Sequence, residues 1–132
     1  MQINTFVVED SPTIRDNLIA TLEELTDVCA VGTAESEIEG VAWLTAGSNA
    51  WDLAIVDLFL KQGTGFGVLS ACKKRLITQK VVVLSNYATA DVRKQSALLG
   101  ADAVFDKSTE IEQLIEYCVN LSQSLSQSSS RV

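Results

Sequence analysis

Acidic side chains end two apolar runs of this sequence. Glu9 and Asp10 follow the first run, and Asp57 follows a later one. Carboxylates gathered at the ends of buried strands are costly unless a positive charge neutralises them. A divalent cation fits that role, because Mg²⁺ prefers hard carboxylate oxygens as ligands. The sequence therefore predicts a magnesium site that contains these three acids.

Two more polar residues end strand-like runs, and their types indicate phosphate chemistry. Ser85 follows three valines and a leucine, and Lys107 comes just after the run Ala103–Phe105. A lysine supplies positive charge for a phosphoryl oxygen, a serine hydroxyl supplies a hydrogen bond, and a carboxylate can act as a nucleophile toward phosphorus. Phosphoryl transfer depends mainly on such positioning and charge neutralisation. These residue types therefore predict a site for phosphoryl transfer.

Short β-type runs alternate with helical patterns, and this alternation decides how the polar residues are positioned. Three of the runs are nearly continuous in apolar residues, as expected for strands covered on both faces. The second run is expected to be shorter and nearer an edge. The predicted strands are Thr5–Glu9, Val28–Gly32, Leu53–Asp57, Lys80–Ser85 and Ala103–Phe105.

Amphipathic segments fill the intervals between these runs. The first begins at Ser11-Pro12, an N-cap residue followed by proline at the first helical position. The fourth ends at Gly100, a residue type that commonly ends helices. The last is expected to begin near Thr109, whose partner Glu112 would complete a capping box.

A βα unit repeated five times predicts an α/β fold of the flavodoxin-like (βα)5 type. Right-handed crossovers give a three-layer sandwich with a five-stranded parallel sheet, in the order 2-1-3-4-5. Ligands of such sheets bind beyond the carboxyl ends of the strands, where the strand order reverses. That point lies between strands 1 and 3, so topology alone brings Glu9, Asp10 and Asp57 together. Ser85 and Lys107 are expected on the same edge.

Bulk composition bounds the class of protein. The chain has 132 residues, which suits one domain, and 47% of them are hydrophobic, which is enough for a full core. A net charge of −7 makes direct binding to nucleic acid or to an anionic membrane unexpected. We divide the chain into a domain of residues 1–121 and a Ser/Gln-rich tail or linker stub of residues 122–132, which is expected to fray.

Cysteine usage and the start of the chain predict a cytoplasmic protein. Cys29, Cys72 and Cys118 lack metal-ligand spacing and are interpreted as small hydrophobes in a reducing compartment. The first residues lack a signal-peptide pattern, and no apolar run reaches the ~20 residues that span a bilayer. The chain contains no histidine, so it cannot supply a phosphohistidine itself.

Taken together, these residues resemble the receiver domain of response regulators, of the stand-alone chemotaxis type. The matching residues are the pair Glu9-Asp10, the acceptor-like Asp57, the hydroxyl of Ser85 and Lys107. Each motif alone is weak, but their joint occurrence in this order and at this spacing is specific. The resemblance covers almost the whole chain, from about residue 3 to residue 121.

The resemblance implies a function in two-component signalling. A histidine kinase or phosphotransfer protein would donate a phosphoryl group from phosphohistidine to Asp57. Asp10, Asp57 and the Phe59 carbonyl would bind Mg²⁺, with Glu9 acting directly or through water, and Ser85 and Lys107 would contact the phosphoryl oxygens. The output would be a downstream protein bound through the face of the fourth helix, fifth strand and fifth helix. Such a protein is a switch rather than an enzyme, and it is a monomer or a phosphorylation-dependent dimer.

Several positions depart from the family pattern. Receivers commonly carry a switching aromatic three residues before the lysine, where this chain has Val104, with Phe105 one place later and expected on the other face of the sheet. Ser108 stands where a proline usually follows the lysine, and Lys61 stands where many receivers have proline. How switching would work without the aromatic is left open by the sequence.

Two aromatic residues stand near the proposed acceptor. Phe59 and Tyr87 lie two residues beyond Asp57 and Ser85, at positions that in this family flank the path of the hydrolytic water. We expect either that they shield the phosphoryl group and lengthen its lifetime, or that they only cover a hydrophobic rim.

Three other interpretations stay open at this point. The chain could be a receiver cut from a longer regulator. It could also be a receiver-like binding module that needs no phosphorylation, an interpretation favoured by Val104 at the position of the switching aromatic. A magnesium-dependent phosphatase with an aspartyl nucleophile is disfavoured, because the sequence after the first strand reads Glu9-Asp10-Ser11 and lacks Asp-x-Asp.

Overall fold

A computed structural model describes the backbone of residues 2–130 and the side chains of residues 2–124. Strands and helices alternate along the chain, as predicted. The strands are β1 Ile3–Val8, β2 Val28–Ala34, β3 Leu53–Val56, β4 Lys80–Ser85 and β5 Ala103–Asp106. The helices are α1 Pro12–Leu25, α2 Glu37–Thr45, α3 Gly65–Ala71, α4 Ala90–Leu98 and α5 Ile111–Ser130.

The strands form one parallel sheet in the order β2-β1-β3-β4-β5, which confirms the predicted fold class and topology. The second strand lies at an edge, as expected, but with 7 residues it is not short. Its pairing with β1 shifts register between Thr5 and Phe6, where the chain makes an irregularity. The sheet places the carboxyl ends of β1 and β3 side by side.

Two apolar layers cover the two faces of the sheet, because successive strand residues point to opposite faces. On one face, Phe6, Val8 and Val56 of the sheet pack with residues of α2 and α3. On the other face, Val7 and Ile55 pack with residues of α1 and α5. Burial on both faces explains why the central strands are almost purely apolar in sequence.

Local signals set several helix ends as the sequence predicts. The Ser11 hydroxyl accepts a hydrogen bond from the Ile14 N–H at 3.4 Å, and Pro12 occupies the first helical position of α1. After α4, Gly100 has φ +98°, a backbone conformation that glycine adopts without strain. These two signals fix where α1 begins after β1 and where the chain leaves α4 before β5.

The start of α5 differs from the prediction. The helix begins at Ile111, so Thr109 is not its N-cap, and the predicted capping box with Glu112 is wrong. Instead, the Asp106 carboxylate accepts hydrogen bonds from the N–H groups of Ser108 and Thr109, at 2.8 Å and 3.2 Å. This short-range turn outcompetes the cap because an aspartate two residues before a donor readily folds back on it.

The serine-rich segment is helical rather than frayed as far as Ser130. Ser122 is buried, and its hydroxyl donates to Asp27 next to the start of β2. The expected fraying of residues 131–132 lies outside the described residues. The division of the chain at residue 121 into domain and tail stays a prediction.

Candidate functional site

Backbone hydrogen bonds between β1 and its two neighbours, β3 and β2, hold the acids at the carboxyl edge of the sheet. The Asp57 N–H donates to the Val8 carbonyl at 3.0 Å, and the Glu9 N–H donates to the Ala34 carbonyl at 2.9 Å. Glu9, Asp10 and Asp57 each offer a carboxylate oxygen, and these three oxygens lie within 4.8 Å of one another. The donor set and its spacing fit a hard divalent cation such as Mg²⁺.

Lys107 reaches into this cluster from β5. Its Nζ lies 2.9 Å from Asp57 Oδ2 and also donates to Glu9 Oε1. The Lys107 side chain is 12% exposed, that of Asp57 10% and that of Glu9 4%, so the three charges are largely removed from water. One lysine therefore joins acids from two strands.

Burial and charge shift the pKa values of the Glu9–Lys107 pair. Burial raises the pKa of Glu9 above its ordinary value, even though Lys107 and the Ser11 N–H both donate to its carboxylate. Burial works to lower the pKa of Lys107, but the bonds to Glu9 and Asp57 outweigh it and raise that pKa. The lysine is thus held firmly in its charged form.

Asp10 is oriented by the loop that follows β3. Its Oδ2 accepts a hydrogen bond of 2.7 Å from the Lys61 N–H. A proline at this position, which is the residue that many receivers carry, has no N–H to donate. The departure at Lys61 therefore has a structural consequence, because it fixes Asp10 to the β3–α3 loop.

Ser85 lies at the end of β4, as predicted. The residue is fully buried, and its Oγ accepts a hydrogen bond of 3.1 Å from the Tyr87 N–H. Its carbonyl accepts a hydrogen bond of 3.0 Å from the Lys107 N–H, which pairs the two strand ends. Ser85 therefore links the loop after β4 to the end of β5, next to Lys107.

A cavity of about 210 Å³ opens above the acids. It is lined by Glu9, Asp10, Ser11, Ile14, Asp57, Phe59, Asn86, Tyr87 and Lys107. Four of the predicted polar residues and Phe59 meet here, whereas Ser85 does not reach the surface of the cavity. Ser11 and Asn86 were not singled out by the sequence analysis as parts of the site, and nothing in their local sequence marks them.

The rings of Phe59 and Tyr87 contact each other at the mouth of this cavity. Their centroids lie 5.3 Å apart at an interplanar angle of 84°, an edge-to-face arrangement. Both residues are exposed to solvent elsewhere on their surface. The pair thus spans the β3 and β4 sides of the opening.

Gly65 is a part of the site that sequence reasoning passed over. A Cβ at this position would lie 2.3 Å from the Asp57 carbonyl oxygen and 2.8 Å from the Leu58 Cα. The start of α3 therefore packs directly on the backbone of the acceptor-like aspartate. The glycine itself is the only sign of this close packing in the sequence.

Val104 and Phe105 face opposite sides of the sheet, as expected. Val104 packs against the layer that includes α3, whereas Phe105 packs against the layer of α1 and α5. The Phe105 ring lies 5.8 Å from that of Tyr117 on α5. Within the described residues, no peptide bond is cis. The residue after Lys107 is a serine, and cis peptide bonds occur almost only before proline.

The chain matches the response regulator receiver domain family over residues 5–118. The protein belongs to this family. The match agrees with the strand order and with the acidic edge of the sheet described above. The chain is therefore a receiver domain of the kind found in two-component response regulators.

Known proteins are similar to this receiver domain in sequence and in fold. The transcriptional regulatory protein CiaR of Streptococcus pneumoniae is 30% identical over 112 residues, which are 85% of this chain and 48% of that protein. The chain thus spans about half the length of this curated relative.

Two solved structures illustrate the structural likeness. The phosphorylated cyanobacterial phytochrome response regulator RcpA is 25% identical, with a TM-score of 0.71 and a coverage of 93% of each chain. The receiver domain of the Francisella response regulator 1452 is 19% identical, with a TM-score of 0.79, and covers 94% of this chain and 99% of its own. The second likeness concerns the fold alone.

Among the described residues, the receiver has no helix that is long and apolar enough to cross a membrane.

Proposed function

We propose that this receiver domain is a phosphoacceptor that takes a phosphoryl group on Asp57 from a phosphohistidine of a histidine kinase or phosphotransfer protein. A carboxylate oxygen of Asp57 forms the new bond to phosphorus, and the bond between phosphorus and the imidazole nitrogen breaks. The electron pair of that bond returns to the imidazole. The observation that carries the proposal is the Asp57 side chain, which lines a cavity of about 210 Å³ beside Lys107.

Mg²⁺ is the cofactor that the carboxylates favour. Glu9, Asp10, Asp57 and the Phe59 carbonyl would hold the ion, and when bound it would neutralise charge on the phosphoryl oxygens. The supporting observation is that oxygens of three acids lie within 4.8 Å of one another. The Lys61 N–H, which donates to Asp10, orients one of these ligands before any ion arrives.

Lys107 and Ser85 would stabilise the transferred group. The buried ammonium of Lys107 lies within hydrogen-bond distance of Asp57 and would follow the phosphoryl oxygens as charge develops there. The Ser85 hydroxyl, which accepts from the Tyr87 N–H, would donate its own proton to the same group, and this movement would pull on the loop that holds Tyr87. Phosphorylation is therefore expected to disturb the segment that follows β4.

We propose a signalling output for this cytoplasmic switch rather than turnover of a substrate. A phosphoryl group adds negative charge and oxygen acceptors at Asp57. The change would alter the face formed by α4, β5 and α5, which would then bind a downstream protein or a second copy of the chain. The protein would catalyse only its own phosphorylation and dephosphorylation. RcpA, a relative that has been obtained in phosphorylated form, supports the acceptor chemistry.

A second candidate function is a binding module that does not depend on phosphorylation. The observation that favours it is Val104, a half-buried side chain that packs against the core at the position of the usual switching aromatic. Partner binding that is unchanged in an Asp57→Ala variant would favour this module over the phosphoacceptor.

The test is the intact mass after incubation with Mg²⁺ and either acetyl phosphate or a phosphorylated histidine phosphotransfer domain. We expect one labile phosphoryl group on the wild type and none on Asp57→Ala. The matched control is Asp16→Ala, which removes an exposed acid of α1 and should leave the modification intact. Absence of the group with both donors, in protein shown to bind Mg²⁺, would overturn the proposal.

A further inference from the structure

Arg93 makes an unusual set of hydrogen bonds for a surface arginine. From α4, its Nε donates to the Ala88 carbonyl at 3.0 Å, and its Nη1 donates to the Val104 carbonyl at 3.1 Å. Its Nη2 donates to the carboxylate of Glu110. One side chain therefore ties together the loop before α4, the strand β5 and the start of α5.

Glu110 extends this connection toward the candidate site. The oxygen that accepts from Arg93 also accepts from the Asp106 N–H at 3.0 Å. The Glu110 N–H in turn donates to the Asp106 carbonyl at 2.9 Å. The pKa of Glu110 is lowered, first because Arg93 donates to its carboxylate. Glu110, which is paired with Arg93, thus holds Asp106 through both its side chain and its backbone, and Asp106 is the residue next to Lys107.

The two segments held by Arg93 are those that carry the residues proposed to contact the phosphoryl group. Ala88 lies three residues after Ser85, and Asp106 precedes Lys107. The Ser85 carbonyl also accepts from the Lys107 N–H at 3.0 Å, which joins the ends of the two strands that carry these segments. The guanidinium contacts the backbone of Val104, the position at which the usual switching aromatic is missing.

We propose that Arg93 is a positioning residue that couples the site to the α4–β5–α5 face, through a latch formed with Ala88, Val104 and Glu110. The latch stabilises the unphosphorylated arrangement. When the Ser85 hydroxyl moves to donate to a phosphoryl oxygen, the loop after β4, whose Tyr87 N–H is bound to that hydroxyl, shifts and withdraws the Ala88 carbonyl from the guanidinium. This inference rests on the proposed function for its trigger, but the latch itself is a property of the unmodified chain.

The strength of the latch suits reversible switching. The Arg93 side chain is 41% exposed and that of Glu110 is 28% exposed, so water can replace the ion pair at low cost. The two bonds to carbonyls hold a loop and a strand end rather than a packed core. Breaking the latch should therefore free these segments without unfolding the domain.

Arg75 offers a matched control, because it makes a similar set of bonds at the other end of β5. Its Nε donates to the Gln79 carbonyl at 2.8 Å, its Nη1 to the Cys72 carbonyl at 3.0 Å, and its Nη2 to the Gly100 carbonyl and to Asp102 at 2.7 Å and 2.8 Å. This cluster lies far from the carboxyl edge of the sheet. Arg75→Ala therefore removes a comparable clamp without touching the candidate site.

The first experiment measures amide hydrogen exchange in the unmodified protein, wild type against Arg93→Ala and Arg75→Ala. We expect Arg93→Ala to raise exchange about fivefold in residues 86–89 and 104–110, as for loss of a partly exposed ion pair. Arg75→Ala should raise exchange only near residues 72–80 and 100–103. Glu110→Gln, which keeps an oxygen for the Asp106 N–H, should reproduce part of the effect even if Arg93→Ala fails to fold. Unchanged exchange in residues 86–89 and 104–110 in these latch variants would overturn the proposal.

The second experiment tests coupling, which a merely structural arginine would not show. With Mg²⁺ and acetyl phosphate, Arg93→Ala should take up the phosphoryl group several-fold faster than the wild type, because the latched arrangement no longer has to open. Arg75→Ala should keep the wild-type rate, and equal rates in all three proteins would overturn the coupling. A wild type that takes up no phosphoryl group contradicts the proposed function instead. The exchange comparison then still decides whether the latch exists.

Discussion

Lys107 Nζ lies 2.9 Å from Asp57 Oδ2, and the same nitrogen donates to Glu9. These contacts join the end of β5 to the ends of β1 and β3 at the carboxyl edge of the sheet. Because all three side chains are almost excluded from water, each charge depends on the others for its stability. Before any ligand binds, the site is therefore a cluster in which two carboxylates share one ammonium and negative charge is in excess.

Replacement of Lys107 by alanine should destabilise the fold when no divalent cation is present. Two buried carboxylates would lose their shared cation, which should lower the free energy of unfolding by about 3 kcal/mol. Mg²⁺ should recover a large part of the loss, because it would neutralise the same acids. The measurement is urea unfolding with EDTA and with Mg²⁺.

Lys61→Ala is the control for the lysine experiment. Lys61 is exposed, and alanine keeps the N–H that donates to Asp10. Its stability should stay within about 0.5 kcal/mol of the wild type. If Lys107→Ala were as stable as this control in EDTA, the contacts of Lys107 with the two acids would not stabilise the fold.

Gly65→Ala should displace the acceptor-like aspartate. The added methyl would lie 2.3 Å from the Asp57 carbonyl oxygen, and backbone atoms cannot move aside as a flexible side chain can. We expect a loss of about 3 kcal/mol in unfolding free energy and weaker binding of Mg²⁺. Urea unfolding and a metal titration measure the two effects.

Gly47→Ala is the matched glycine control. No atom lies within 4 Å of the Cβ that this substitution would add, and the residue is exposed. Stability and Mg²⁺ binding should both remain at the wild-type level. Equal behaviour of the two alanine variants would contradict the close packing of α3 on Asp57.

Replacement of both Phe59 and Tyr87 by serine should shorten the life of the phosphoryl group. The edge-to-face ring pair covers the mouth of the cavity, so its removal should admit the hydrolytic water. The half-life of phosphorylated protein, followed by intact mass after removal of the donor, is expected to fall several-fold. An unchanged half-life would mean that the rings only cover an apolar rim.

The cysteines should differ in reactivity in the folded protein. Burial raises the pKa of the Cys118 thiol to about 12, and burial also raises the pKa of Cys72. Since the thiolate is the nucleophile, both should resist iodoacetamide at mildly alkaline pH, whereas the half-buried Cys29 should react. Peptide mass mapping before and after unfolding in urea measures this. Rapid labelling of Cys118 in the native state would contradict the burial described here.

Much of the fold could be predicted from the sequence, because its determinants are local or general. Apolar runs of strand length alternate with helical periodicities, and right-handed crossovers leave few arrangements for such an alternation. The strand order and the meeting of Glu9, Asp10 and Asp57 at one edge follow from these rules. One error was local, at Thr109, where the turn made by Asp106 displaced the expected cap, and others concerned the length of β2 and the extent of α5 into the serine-rich segment.

The partners of the polar groups could not be predicted in the same way. Lys107 contacts both Glu9 and Asp57, and Ser85 accepts from the Tyr87 N–H. These contacts depend on side-chain rotamers, which are set by packing against several elements. The latch joins Arg93 to residues as far as 17 positions away in sequence, and no periodicity marks it.

The sequence by itself determined the class of fold, the family and the set of residues at the carboxyl edge of the sheet. It did so because strand period, helix period and chain order act on every residue and add up along the chain. The tertiary structure alone decided which carboxylate meets which cation, and which glycine supports Asp57. Those choices depend on distances between segments far apart in sequence, which are set only when the two apolar layers pack on the sheet.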